Sequence, residues 1–267
     1  LIPTFTPQIV QRNWEWRMFV VRDLSRAHAY RLKPDAYNPQ WDFIIRPSYE
    51  TTMEILDTLS KEAEFGSLIL SLDIETICRH ISCLGIAWST SKALCIPFMD
   101  QGKHYWEEHE EIAIIQKLKT LLTHPNAHCV GQNFAGYDNQ HFAKHWGFVP
   151  NLVFDTMLAQ HTLFPGMAKS LDVLSSLYCH YHRYWKDELK DYNKMPEDIP
   201  HYWTYNCKHC VITFEVYEVL QTQLQKAGLV EQFEFLMRMA TRNVFRAMLR
   251  GVRIDAKRRT EVAGELL

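Results

Sequence analysis

The sequence predicts an α/β fold: a mixed β-sheet, three antiparallel strands plus parallel strands, flanked by helices. Three observations lead there. Apolar segments of strand length follow one another at residues 67–76, 81–89 and 92–98, across gaps short enough for antiparallel hairpins. A helical period at 107–124 then gives way to another apolar strand at 127–133. Most of the remainder, to 227, reads as helices over 137–146, 155–163, 170–179 and 200–227.

The flanking segments are less regular. Residues 1–40 are rich in aromatics, Pro and Asn and suggest no fold, so 1–65 is expected to be an accessory segment, irregular at first. It ends in a short strand at 41–47 and a helix at 48–64, with Met53, Ile55, Leu56 and Leu59 apolar and Ser48 as N-cap. A long helix is expected at 229–251, then VRID at 252–255 and a further helical pattern in which the chain stops. That stop, and a first residue other than Met, suggest a piece of a longer protein.

With 47% hydrophobic and 22% charged residues among 267, the chain can bury a sizeable core and is not compositionally disordered. A formal net charge of −2 argues against a protein that coats duplexes non-specifically. It leaves room for an enzyme that grips a few nucleotides at a strand end, where metal ions add positive charge. No apolar run reaches membrane-spanning length, so no membrane is expected. Seven Cys at irregular spacing read as reduced thiols in an intracellular compartment.

Three motifs carry candidate chemistry. In SLDIET, Asp73 and Glu75 lie two apart near a strand end, so both side chains leave the same face. Adjacent ionised carboxylates repel, and a hard divalent cation relieves the conflict; an ordinary strand end with solvated acids fits the pair about as well. Further on, a strand-to-helix loop supplies Asn133 and Asp138. Asp138 suits a third carboxylate converging on the same cations, and equally a residue favoured by the helix dipole. Asn133 suits substrate contact or loop closure. Finally, Tyr205 and His209, four apart on a helix, share a face. Taken singly, each is an ordinary packed or hydrogen-bonded side chain.

In this order (Asp73-Ile-Glu75, Asn133 to Asp138, Tyr205 to position 209) the motifs resemble the signature of tyrosine-type DEDD exonucleases. Residues 153–178 and the tail 235–255 look like the corresponding stretches of family A DNA polymerases, in whose proofreading 3′–5′ exonuclease domain the likeness is found. The resemblance implies an RNase H-like, DnaQ-like exonuclease domain at 66–227, with 228–267 the start of a polymerase thumb region. It implies two-metal hydrolysis with Mg²⁺ or Mn²⁺. Asp73, Glu75, Asp138 and His209 would hold the ions, Tyr205 would hydrogen-bond the attacking water, and Thr76 and Asn133 would contact substrate. The implied partners are a single-stranded DNA 3′ end and a polymerase domain in the same chain.

One departure stands out. His209 occupies the place of the family's fourth acid. Imidazole removes a negative charge and offers nitrogen, which suits Mn²⁺ or Zn²⁺ better than Mg²⁺, so weakened or abolished activity is expected. The alternatives are an inactive exonuclease-like domain that holds single-stranded DNA or braces the polymerase, and an RNase D-like RNA-trimming enzyme. The C-x-x-C formed by Cys207 and Cys210 falls mid-helix, which does not suit redox work. Cys179, His180 and His182, taken with those two, match no usual zinc spacing. Aromatics between 178 and 203 fit packing better than base stacking.

Overall fold

The computed structural model describes residues 4–32, 39–180 and 199–266. Its six-stranded sheet comprises β1 (Asp42–Ile44), β2 (Leu68–Ile77), β3 (His80–Ala87), β4 (Lys92–Pro97), β7 (Ala127–Gly131) and β8 (Leu152–Asp155). A separate small hairpin joins β5 (Met99–Asp100) to β6 (Lys103–His104). The strand order is β1-β4-β3-β2-β7-β8. Strands β2, β3 and β4 pair antiparallel, while β1 runs parallel to β4, β7 to β2 and β8 to β7. This is the mixed sheet that the three consecutive apolar runs predict.

Alternation along β2 explains how helices cover both faces. Leu68, Leu70, Leu72 and Ile74 enter one core with Leu56 and Leu59 of α3 (Tyr49–Phe65) and Ile114 and Leu118 of α4 (Glu108–Leu122). Each buried leucine contributes about 1.5–3 kcal/mol. The opposite face packs against α6 (Thr156–Leu163), α7 (Leu171–Tyr178) and the long α8 (Ile199–Ala227). Ser48 caps α3 as expected, its hydroxyl accepting from the Thr51 N–H at 3.2 Å. A four-residue helix, α5 (Asp138–His141), follows the β7 loop and continues as a π-helix over Phe142–Trp146.

Three stretches depart most from expectation. The first is at the amino-terminal end, where the stretch with no predicted fold contains α1 (Pro7–Arg12) and α2 (Arg17–Leu32). The buried residue of α2 is Arg26, not an apolar one, which is why apolar periodicity does not reveal the helix. Beside Met18 and Phe19, which pack against the core, guanidinium groups fasten α2: Arg22 and Arg26 both donate to the Cys179 carbonyl at 3.0 Å, at the carboxyl end of α7. The second is β8, too short to announce itself. The third is the helix expected at 229–251, which divides into α9 (Val230–Arg238), a π-helical segment (Met239–Val244) and α10 (Phe245–Arg250). Gly251, at φ +70°, ends α10 in a conformation that favours glycine. A final helix, α11 (Ala256–Leu266), follows.

Helix α9 lies on this fold, with Phe233 against Phe154 of β8 at 4.6 Å between ring centroids. All seven cysteines are free thiols, six of them buried. Cys78 is the exposed one, in the turn between β2 and β3 with φ +51°. Among the described residues no helix is long and apolar enough to cross a membrane.

Candidate active site

The site begins where β2 outruns its neighbour. Strand β7 pairs with β2 only from Leu68 to Ser71 and then departs after Gly131. The Ile74 N–H left on that edge donates to Asp138 Oδ1 at 3.1 Å. The first residue of α5 is thereby fixed between Asp73 and Glu75 along the strand. The strand's alternation turns both carboxylates away from the Leu72 and Ile74 core, towards α8.

Helix α8 closes the site from above. Asn206 Nδ2 donates to the Asp73 carbonyl at 3.1 Å and to Asp73 Oδ2 at 2.9 Å. His209 Nδ1 lies 3.5 Å from the same Oδ2. The Tyr205 ring stacks obliquely on the His209 imidazole, 4.2 Å between centroids. Gly85 makes this approach possible. It pairs with Asp73 in register, and a Cβ there would meet Asn206 Oδ1 and Cys210 Sγ at 2.5 Å.

The loop before Asp138 is held by Asp155, a buried acid at the end of β8. Its Oδ1 accepts from the Asn133 N–H and its Oδ2 from the Ala135 N–H, both at 3.1 Å. The same carboxylate caps α6 through the N–H groups of Met157 and Leu158. Asn133 takes a left-handed φ of +55°, a conformation Asn tolerates. At the mouth of the site, the Tyr137 hydroxyl and Thr76 Oγ1 share a hydrogen bond of 2.7 Å.

Ligand atoms of Asp73, Glu75 and His209 lie within 4.8 Å of one another, a group able to hold a metal ion. Asp138 is outside that group, with one oxygen engaged by Ile74. Burial, and then the charge of Asp73, push the Glu75 carboxyl well above the usual range. The same two causes raise Asp138, opposed in part by the Ile74 N–H. A pocket in which acids resist ionisation is one whose charge a divalent cation would offset, and the carboxylate and imidazole donors suit such an ion.

Of the residues singled out in the sequence, Asp73, Glu75, Asp138, Tyr205 and His209 meet at this end of β2, with Thr76 at the mouth. Asn133 sits in the loop fastened by Asp155. Sequence reasoning missed Asn206, Asp155 and Gly85. Asn206 carries a signal in its spacing, three residues before His209 on one helix face. Cys207 and Cys210 are fully buried, and burial raises the Cys210 thiol, the opposite of a reactive thiolate. Among the described residues neither joins a group able to hold a metal ion; His182 of the zinc constellation lies outside those residues.

The model of the 3′–5′ exonuclease family matches residues 49–225, more than half of the chain and every residue of this site. Solved structures share the fold at low identity. The catalytic core of RRP6 from Trypanosoma brucei is 15% identical, with a TM-score of 0.58 over 75% of this chain and 52% of that one. NrnC of Brucella melitensis with bound Mg²⁺ is 16% identical, TM-score 0.55, over 71% of this chain and 90% of that one. Escherichia coli RNase D, an exoribonuclease involved in structured RNA processing, is 12% identical, TM-score 0.54, over 75% and 49%. The chain thus spans about half the length of the RRP6 core and of RNase D. None of these three is a family A polymerase, and the polymerase attachment expected from the tail gains no support from them. No curated protein matches in sequence. With a DnaQ-like sheet, acids gathered at the end of its central strand and the family match across them, the chain belongs to the 3′–5′ exonuclease family.

Proposed function

We propose that this chain trims nucleotides from the 3′ end of single-stranded RNA, as an RNase D-like hydrolase. The observation that carries hydrolysis is the convergence of Asp73, Glu75 and His209 within 4.8 Å, beside Asp138. The likeness to RNase D supports RNA over DNA. Asp73, Glu75 and His209 would hold one divalent ion, with Asp73 and Asp138 serving a second. Such ions supply an acidified water and stabilise charge on the leaving oxygen. The protein's own part is positional. Asn206 fixes the Asp73 rotamer, Tyr205 orients the attacking water in the manner of the tyrosine type, and Thr76 and Asn133 contact the terminal nucleotide. With imidazole in place of a carboxylate, Mn²⁺ serves better than Mg²⁺.

Matched RNA and DNA strands labelled at the 5′ end test this in either ion. A ladder shortening from the 3′ end of RNA is expected. No shortening of either strand would overturn hydrolysis. Shortening of DNA alone would favour a second reading, a polymerase-linked DNA exonuclease, which rests on the resemblance of residues 235–255 to the polymerase junction.

A further inference from the structure

The helices after α8 carry a charge pattern that the acid site does not use. Residues 238–259 hold seven Arg and one Lys against a single acid, Asp255, in a chain whose net charge is −2. The first four arginines, Arg238, Arg242, Arg246 and Arg250, recur every four residues and are all exposed. In a plain α-helix that spacing overshoots a turn by about 40° each time, so the four would wind through about 120°. Here the π-helical segment Met239–Val244 intervenes. Its turns take more residues, the same spacing undershoots, and the two drifts offset one another. The π-helix straightens a spiral of arginines into a stripe.

The stripe is placed beside the acids. Phe245, next to Arg246, is buried, and α10 packs against α5, the helix that opens with Asp138. A merely solvated helix face mixes signs at four-residue spacing. In this one, like charges succeed each other, an arrangement that is unfavourable on an isolated helix. Arg238 shares an ion pair with Glu234 at 3.8 Å, while Arg242, Arg246 and Arg250 form none among the described residues.

We propose that this stripe is the track for the phosphate backbone of the single strand whose 3′ end enters the acid site, an inference that rests on the proposed function. Guanidinium forks match phosphate oxygens two at a time. From Arg238 to Arg250 the stripe runs roughly 18 Å at helical rise. The acid site takes the chain end and the stripe takes the body behind it, a division that near-neutral net charge conceals.

The test is fluorescence anisotropy with a labelled single strand of about 20 nucleotides, within the reach of known single-strand sites and their flanks, and with a labelled trinucleotide. Both are titrated in EDTA. The triple variant Arg242→Ala, Arg246→Ala, Arg250→Ala should bind the long strand at least tenfold more weakly. Its plot of log affinity against log salt should be shallower by about 2, as expected for three lost phosphate contacts on a single strand. Trinucleotide binding should not change, and a thermal melt reports that the variant is folded. A control variant, Lys257→Ala, Arg258→Ala, Arg259→Ala on α11, removes equal charge off the stripe and should bind as wild type. Equal loss in both variants, unchanged affinity in the first, or a wild type that does not bind the long strand would each overturn the track. Stripe-dependent binding by a protein that cuts neither RNA nor DNA would uphold the track and overturn the hydrolase reading.

Discussion

Asp73 and Gly85 are register partners on adjacent strands, and the second has no side chain because α8 descends through that space to reach the first. Gly85→Ala would put a Cβ 2.5 Å from Asn206 Oδ1 and Cys210 Sγ. The expected result is a loss of about 1–3 kcal/mol in stability from overpacking. A fall of more than tenfold in strand shortening should accompany it, as Asn206 and His209 lift from Asp73. Urea melts give the first quantity, and rates taken well below the melting temperature give the second. Full activity in a folded Gly85→Ala protein would mean that the height of α8 does not limit the reaction.

His209→Asp restores a hard oxygen donor next to Asp73. Hydrolysis in Mg²⁺ should rise more than tenfold, and the advantage of Mn²⁺ should narrow. Rates measured side by side in the two ions check this. Identical rates in the parent and variant would remove position 209 from the set of ion-holding residues.

Asp155→Ala withdraws the acceptor for four backbone N–H groups, two of them in the loop that delivers Asp138. Unsatisfied buried donors cost about 1–3 kcal/mol each. Partial access of water should hold the total to about 2–4 kcal/mol, measured by denaturant unfolding. Hydrogen exchange should accelerate at Asn133 and Ala135 ahead of the sheet. Uniform acceleration across the chain would instead mean that Asp155 acts on global stability alone.

Tyr178 donates to Gln160 Oε1 at 2.7 Å, and burial pushes its hydroxyl from 10.0 up to about 12. The raised value means that the folded state keeps the proton after the unfolded state has lost it. This contribution to stability is complete below about pH 10 and declines as the pH climbs to about 12. In Tyr178→Phe that part of the decline should vanish. Melting temperatures measured across the interval for both proteins check the slope, and parallel curves would refute the assignment.

Much of the sheet was legible because β2, β3 and β4 must alternate or run apolar to fill cores on both faces. Asp73 and Glu75 were legible for the same reason, since two acids at strand spacing share a side. Helix α2 was not, because arginines reaching distant carbonyls hold it and leave no apolar stripe. The π-helical turns within 229–251 left no trace in a pattern read at α-helical period. Gly85 and Asn206 act through partners far away in the chain, as does the Asp155 carboxylate on the loop before Asp138: Asn206 reaches Asp73, and Asp155 reaches Ala135. Local propensity does not report contacts of that kind.

Six of the seven sulfhydryls are sealed within the protein, and the seventh, Cys78, stands three positions past Glu75 in a surface turn. A maleimide dye mixed with the folded protein would therefore attach at a single place, without any engineering. That place directly follows the strand that bears Asp73 and Glu75, so the native chain carries its own handle for a reporter group.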